Sequence, residues 1–311
     1  MKTLLLLLGP TGVGKTELSL RLAEHINSPV VSCDSRQVFR EIPIGTAAPT
    51  LEEQARVRHY FIGTRSVTEN YSAGGYERDA MSLLDTLFAS RDTLLMTGGS
   101  MLYADAVCNG LDDLPPVPGH IRQQVTEQGR MANGEGLKWL QNEVQRLDPD
   151  YWDIVDRQNP ARLAHCIELS LTTGQPYSSL RTATRKKRPF RIVKVALTRP
   201  RDQLYERINK RVEQMMDLGL EQEARTVYPL RQLPALQTVG FREMFGCFDG
   251  LYNIDRAIEL IRQNSRHYAK RQLTWFRRDE EIQWLDANND HETNIHIIDN
   301  LLGACGVQER D

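Results

Sequence analysis

The sequence predicts an α/β protein: a parallel sheet flanked by helices around a phosphate-binding loop, with a helical insertion later in the chain. Three observations carry this. Leu4 to Leu8 is a short apolar run of the kind that forms a buried strand. It leads into Gly9-Pro10-Thr11-Gly12-Val13-Gly14-Lys15-Thr16, which fits G-x-x-x-x-G-K-[ST], and then into Leu18, Leu22 and Ile26, spaced along one helical face. Between Leu111 and Pro118 three prolines interrupt both helix and strand, and helical periodicity dominates for about seventy residues beyond them.

The loop joins a strand to a helix N-terminus. Unpaired backbone N–H groups and the helix dipole favour an anion there, and the glycines permit close approach of phosphate oxygens. Gly9, Pro10, Thr11, Gly12, Val13, Gly14, Lys15 and Thr16 are therefore the predicted diphosphate or nucleotide site. Lys15 supplies a point charge to the outer phosphate, and the Thr16 hydroxyl is the predicted ligand of a Mg²⁺ ion. Such a loop grips a diphosphate or triphosphate without specifying what carries it, so ATP remains an admissible ligand.

The chain has 311 residues, a formal net charge of −2 and 40% apolar residues, enough for one large domain or two. Cys33, Cys108, Cys166, Cys247 and Cys305 show no C-x-x-C and no metal spacing, as expected of packed, reduced thiols in a cytoplasmic protein. The early leucine run is too short for a membrane span and runs straight into the loop, which argues against a secretory signal. Near-neutral net charge hides two basic segments. Arg181, Arg185, Lys186, Lys187, Arg188 and Arg191 fall close together without an acid, and Asp255 to Arg278 carries seven Arg and Lys against two acids. Together they suggest a polyanionic partner.

Pro29 to Cys33 reads as a second strand ending at Asp34-Ser35-Arg36-Gln37. An acid at the carboxyl end of a strand beside a phosphate loop lies where ligands collect in open sheets. Asp34 could hold Mg²⁺ through water, serve as a general base, or cap a helix. Ile44 to Pro49 reads as loop, His59 to Ile62 as a short strand, and Tyr71 to Ser90 as a helix. Thr93 to Thr97 is a buried strand closed by Gly98-Gly99-Ser100, with Met101 to Cys108 helical after it. Helices are expected over Ile121 to Arg130, Gly136 to Leu147 and Ala161 to Thr173, and Arg191 to Leu197 returns to the sheet. The predicted division is thus a discontinuous core, 1–116 with 189–311, and an insertion, 117–188. Asp202 to Leu218 is a helix on which Arg207 and Arg211 share a face, suited either to clamp a diphosphate or to meet solvent. Asp255 to Arg277 is the longest helix, and its row Arg262, Arg266, Lys270 suits a phosphate backbone. Little structure is expected beyond Trp284.

Seven blocks in order make the chain resemble the bacterial tRNA dimethylallyltransferases. They are Gly9 to Thr16, Asp34 to Phe39, Ile44 to Ala47, Gly98 to Tyr103, Gln158 to Arg162, Thr238 to Glu243, and Ala269 to Arg277. Departures are small: Phe39 and Phe241 stand where tyrosine is common, and Ser100-Met101 replaces threonine-glycine. No zinc finger of the eukaryotic relatives is present.

The resemblance implies an enzyme, a prenyltransferase of tRNA modification. It moves the dimethylallyl group from dimethylallyl diphosphate to N6 of the adenosine just 3′ of the anticodon, in tRNAs reading codons that begin with U. Asp34 is then the base, and Lys15, Thr16 with Mg²⁺, and Arg211 meet the leaving diphosphate. The implied tRNA-contacting positions are Asp34, Ser35, Arg36, Gln37, Ser100, Arg122, Gln158, Asn159, Pro160, Ala161, Arg162, Gln237, Thr238, Val239, Gly240, Phe241, Arg242, Lys270, Arg271, Gln272, Leu273, Thr274, Trp275, Phe276 and Arg277. The implied partners are the tRNA anticodon stem-loop and the isoprenoid donor, with no membrane, and a monomer is expected. An adenylate prenyltransferase would share loop and base but needs no large RNA-facing surface. A small-molecule kinase or a nucleotide-switched RNA-binding module leaves the insertion or the acid unexplained.

Overall fold

A computed structural model describes residues 1–182 and 184–303. The chain divides into two compact units, Met1–Asn109 with Lys187–Asp311, and Gly110–Lys186.

In the first unit β1 (Thr3–Leu8) leads into α1 (Lys15–His25), and β2 (Val30–Ser32) follows. Then come α2 (Pro43–Thr46), α3 (Leu51–Arg56), β3 (His59–Tyr60), α4 (Ala73–Phe88), β4 (Thr93–Thr97) and α5 (Met101–Asn109). The second unit holds α6 (Gly119–Gly129), α7 (Glu135–Leu147), α8 (Pro149–Trp152), α9 (Pro160–Thr173) and α10 (Tyr177–Leu180). The chain re-enters the first unit with β5 (Arg191–Thr198), α11 (Arg201–Asp217), α12 (Leu220–Val227), α13 (Phe241–Phe248), α14 (Ile254–Phe276), β6 (Gln283–Asp286) and α15 (His291–Gly303).

The six strands form one parallel sheet in the order β3-β2-β4-β1-β5-β6. β1 is central: Leu4 lies opposite Leu94 of β4 and Ile192 of β5. A parallel sheet is covered on both faces, which is why β1 is apolar throughout rather than alternating. Its period of two divides the core. Leu4, Leu6 and Leu8 pack with Tyr76, Ala80 and Leu84 of α4 and Val107 of α5. Leu5 and Leu7 pack with Leu18 and Leu22 of α1, Leu204 and Ile208 of α11, and Ile298 of α15. A third cluster joins Val38 and Ile42 to Leu220, Phe241, Met244 and Ile261. The second unit has a core of its own around Val125, Leu140, Val144, Leu163 and Ile167.

Two expectations fail here. The segment read as loop contains the helical turn α2, and α3 follows it, closed by a capping box in which Thr50 and Glu53 satisfy each other's backbone N–H groups. Among the described residues beyond Trp284 the chain is structured: β6 extends the sheet beside β5, and α15 lays Ile298 into the core. Cys33, Cys108 and Cys166 are buried free thiols and Cys247 is a half-buried one; Cys305 lies outside the described residues. Among the described residues no helix is long and apolar enough to cross a membrane.

Candidate diphosphate and nucleic-acid site

The loop wraps over the N-terminus of α1. Gly14, its N-cap, has φ 112°, a left-handed conformation that favours glycine, and a Cβ at Gly12 would fall 2.8 Å from Ile208 Cγ1. Lys15 Nζ donates to the carbonyls of Gly9 at 2.8 Å and Pro10 at 3.0 Å. Burial of its ammonium, with the charge of Arg211 adding to it, lowers its pKa to about 8.

Three arginines bond the same loop. Arg211 donates to Thr11 Oγ1 at 3.2 Å, and its other amino group reaches the Thr46 carbonyl at 3.5 Å. Arg207 Nε donates to Gly12 O at 2.9 Å, and Arg199 Nε to Val13 O at 3.4 Å. Arg199 also donates to Ala287 O at 2.6 Å, so the chain after β6 braces the loop. Burial pulls the Arg211 pKa down, and the negative charge of Asp34 opposes the shift in both Arg211 and Lys15.

Asp34 follows β2 in a turn, and no helix begins there, so the helix-cap reading falls. Its Oδ1 accepts from the backbone N–H of Arg36 at 2.8 Å and Gln37 at 3.2 Å. The end of β4 presses close: a Cβ at Gly98 would lie 2.6 Å from the Cys33 carbonyl, and Ser100 N donates to Cys33 O at 3.2 Å. Thr11, Lys15, Thr16, Asp34, Ser100 and Arg211 all line one cavity of about 750 Å³. The turn carrying Thr46 is set by Glu223, whose carboxylate accepts from the N–H groups of Ile44 at 2.8 Å and Gly45 at 2.7 Å.

Of the positions grouped as RNA-contacting, Gln237, Arg242, Lys270, Arg271, Thr274, Trp275 and Arg277 are exposed in the first unit, and Arg122, Gln158, Pro160, Ala161 and Arg162 in the second. Asn159 caps α9 by accepting from Arg162 N at 3.2 Å, with Pro160 at its first turn. Ser35, Arg36, Gln37, Thr238, Val239 and Gly240 line the cavity, and Arg36 also donates to the carbonyls of Pro234 and Ala235. Phe241 and Phe276 are core side chains, at 0% and 2% exposure, and offer an RNA no side-chain surface. Leu273 packs partly against the core, and Gln272, at 1% exposure, bonds inward.

Part of each basic segment is committed within the protein. Arg188 is an almost fully buried ion-pair partner of Glu77 at 2.8 Å and donates to the carbonyls of Val107 and Ala106. Arg191 closes the end of α15 through Leu301 and Leu302, and Lys186 pairs with Asp113 within the second unit. On α14, Arg262 pairs with Glu213 at 2.9 Å, while Arg266 donates to Asn209 at 2.7 Å and lies over Tyr205. The spacing of that row is helical, but its first two members face α11. Sequence reasoning missed Arg199, Glu223 and the inward role of Gln272, since their partners are distant in the chain.

The IPP transferase family pattern matches residues 37–279. The chain is 50% identical over 302 residues, 97% of its length and all of the relative's, to a tRNA dimethylallyltransferase of Parabacteroides distasonis. It is 51% identical over 295 residues, 95% of this chain and 97% of the relative, to one of Phocaeicola vulgatus. Among solved structures it is similar to the tRNA isopentenylpyrophosphate transferase of Bacillus halodurans. That match has TM-score 0.71 and 32% identity, covering 98% of this chain and 96% of the other. With the family pattern spanning most of the chain and half of all positions shared with full-length relatives, the chain belongs to the IPP transferase family.

Proposed function

We propose that the protein is a tRNA dimethylallyltransferase, carrying the dimethylallyl group of dimethylallyl diphosphate to N6 of the adenosine 3′ of the anticodon. The observation that carries this reading is the sharing of one cavity by a diphosphate loop and the carboxylate of Asp34, with Arg211 bonded to the loop. A small-molecule kinase would leave the helical insertion unexplained, and the names borne by the relatives agree with the transferase reading.

The exocyclic amine of adenine is a weak nucleophile because its lone pair is delocalised. N6 attacks the allylic carbon, the carbon–oxygen bond breaks, its electrons leave with the diphosphate, and the N6 proton passes to Asp34. The two N–H bonds to Oδ1 aim the carboxylate and leave Oδ2 for that proton. Charge developing on the diphosphate meets the loop amides, Lys15 and Arg211. The Lys15 ammonium now satisfied by loop carbonyls exchanges those partners for phosphate oxygens.

Mg²⁺ fits the residues present. Thr16 lines the cavity at the start of α1 and has a hydroxyl to offer. That suits an ion held by one hydroxyl, phosphate oxygens and water. Thr16 would hold it, and it would neutralise charge on the leaving group. Swinging the adenosine into the cavity costs about a few kcal/mol of unstacking, which contacts from exposed groups such as Lys270, Arg277 and Arg162 offset. A tRNA substrate accords with a cytoplasmic protein, and the reaction needs only one chain.

Incubation with labelled dimethylallyl diphosphate and unmodified tRNA tests this. Label in tRNA supports it. Label in AMP instead, or nucleoside triphosphate turnover without transfer, overturns it.

A further inference from the structure

We propose that Gln272 is a positioning residue, whose side-chain amide sets the spacing between the diphosphate loop and the turn facing the Asp34 carboxylate. The inference rests on the transfer reaction proposed above. Gln272 lies on the inner face of α14 and is 1% exposed. Its Oε1 accepts from the Thr11 backbone N–H at 2.9 Å, and its Nε2 donates to the Gly99 carbonyl at 2.7 Å. One planar amide thus joins a loop after β1 to a turn after β4. Both turns line the reaction cavity.

The fit is close on the Gly99 side. A Cβ at Gly99 would lie 2.5 Å from Gln272 Nε2 and 3.9 Å from Asp34 Oδ2. Glycine there admits the amide on one side and sits against the carboxylate on the other. The amide also reaches the donor side of the site, since Thr11 carries the hydroxyl to which Arg211 donates. A chain of direct contacts therefore runs from Arg211 through Thr11, Gln272 and Gly99 towards Asp34. Burial leaves little slack in it, because at 1% exposure each amide atom depends on its backbone partner.

Catalysis needs the nucleophile, held near Asp34, and the leaving group, held on the loop, at a fixed separation. A misplacement of about 1 Å can cost about a hundredfold in rate. A spacer between the two half-sites acts on that separation and touches neither substrate. Its loss should appear in turnover and leave ground-state binding of either substrate nearly unchanged.

The test uses Gln272→Leu, which keeps volume and removes both bonds, and Gly99→Ala, which keeps the glutamine and displaces its Nε2. Both are assayed well below their thermal midpoints, with the double variant alongside. The expected result is a loss of kcat of about thirtyfold or more in each single variant, with KM for tRNA and for donor within about threefold of wild type. The double variant should be no worse than the poorer single, because both break one linkage. Wild-type kcat in Gln272→Leu, or losses that multiply in the double variant, would overturn the inference. If the wild-type protein transfers label to tRNA while Gln272→Leu does so equally well, only this inference falls. If the wild-type protein transfers none, the proposed function falls first.

Discussion

Lys15 donates its ammonium to the carbonyl oxygen of Gly9 at 2.8 Å, so the phosphate-binding lysine rests on its own loop. Burial, with Arg211 adding to it, lowers its pKa from 10.5 to about 8. The folded pKa lies below the unfolded one. Between those values the unfolded chain holds the extra proton, and this group makes stability rise with pH across that window. Ligand binding runs the other way. A diphosphate favours the charged lysine, so donor binding takes up a proton near and above pH 8. We expect kcat/KM for the donor to fall as pH rises from 8 to 10 by this lysine, and Lys15→Met to abolish the dependence. Calorimetry in buffers of different ionisation enthalpy should show proton uptake on pyrophosphate binding at pH 8.5; no uptake would refute the assignment.

Asp34→Asn keeps an oxygen to accept from Arg36 and Gln37 while removing the base. Turnover should fall by about 10² to 10⁴ while tRNA affinity stays within a few-fold. Wild-type turnover would move the base elsewhere.

Salt dependence of tRNA binding separates two kinds of basic residue on α14. Lys270→Ala and Arg277→Ala, at exposed positions, should each reduce the slope of log affinity against log salt by about one. Arg266→Ala should leave the slope unchanged and lower the thermal midpoint, because Arg266 ties α14 to Asn209 and Tyr205 of α11. A reduced slope for Arg266→Ala would place that guanidinium on the RNA.

Arg188→Met removes hydrogen bonds to Glu77 and to the carbonyls of Val107 and Ala106 at a site only 8% exposed. Destabilisation of about 3 kcal/mol is expected by denaturant unfolding. A loss under about 0.5 kcal/mol would mean that the pair behaves as a surface salt bridge.

How legible this was depended on whether the signal is local. The apolar run Leu4 to Leu8 and the loop after it identify strand, turn and helix without outside help, and the structure places them so. β6 escaped because a four-residue edge strand with one buried side chain, Leu285, has no readable period. α2 escaped because its proline and glycine read as loop, and what satisfies its first N–H groups is Glu223, far along the chain. For Arg262 and Arg266 the helical spacing is right, and what it hides is their pairing with Glu213 and Asn209: periodicity says which residues share a face, and only packing says what that face meets. The inward turn of Gln272 is the same case, since nothing near it in the sequence marks Thr11 and Gly99 as its partners.

The order of strands has a consequence for synthesis. β1, which leaves the ribosome before the other five strands, lies between β4 and β5, and β5 itself is flanked by β6, the last strand of the sheet. Until β5 emerges one side of β1 has no neighbour, and until the residues after β6 follow, the brace that Ala287 gives Arg199 cannot exist. A nascent chain stalled before β5 would present an open row of backbone donors and acceptors beside an unfinished ligand cradle, which makes it a ready substrate for chaperones.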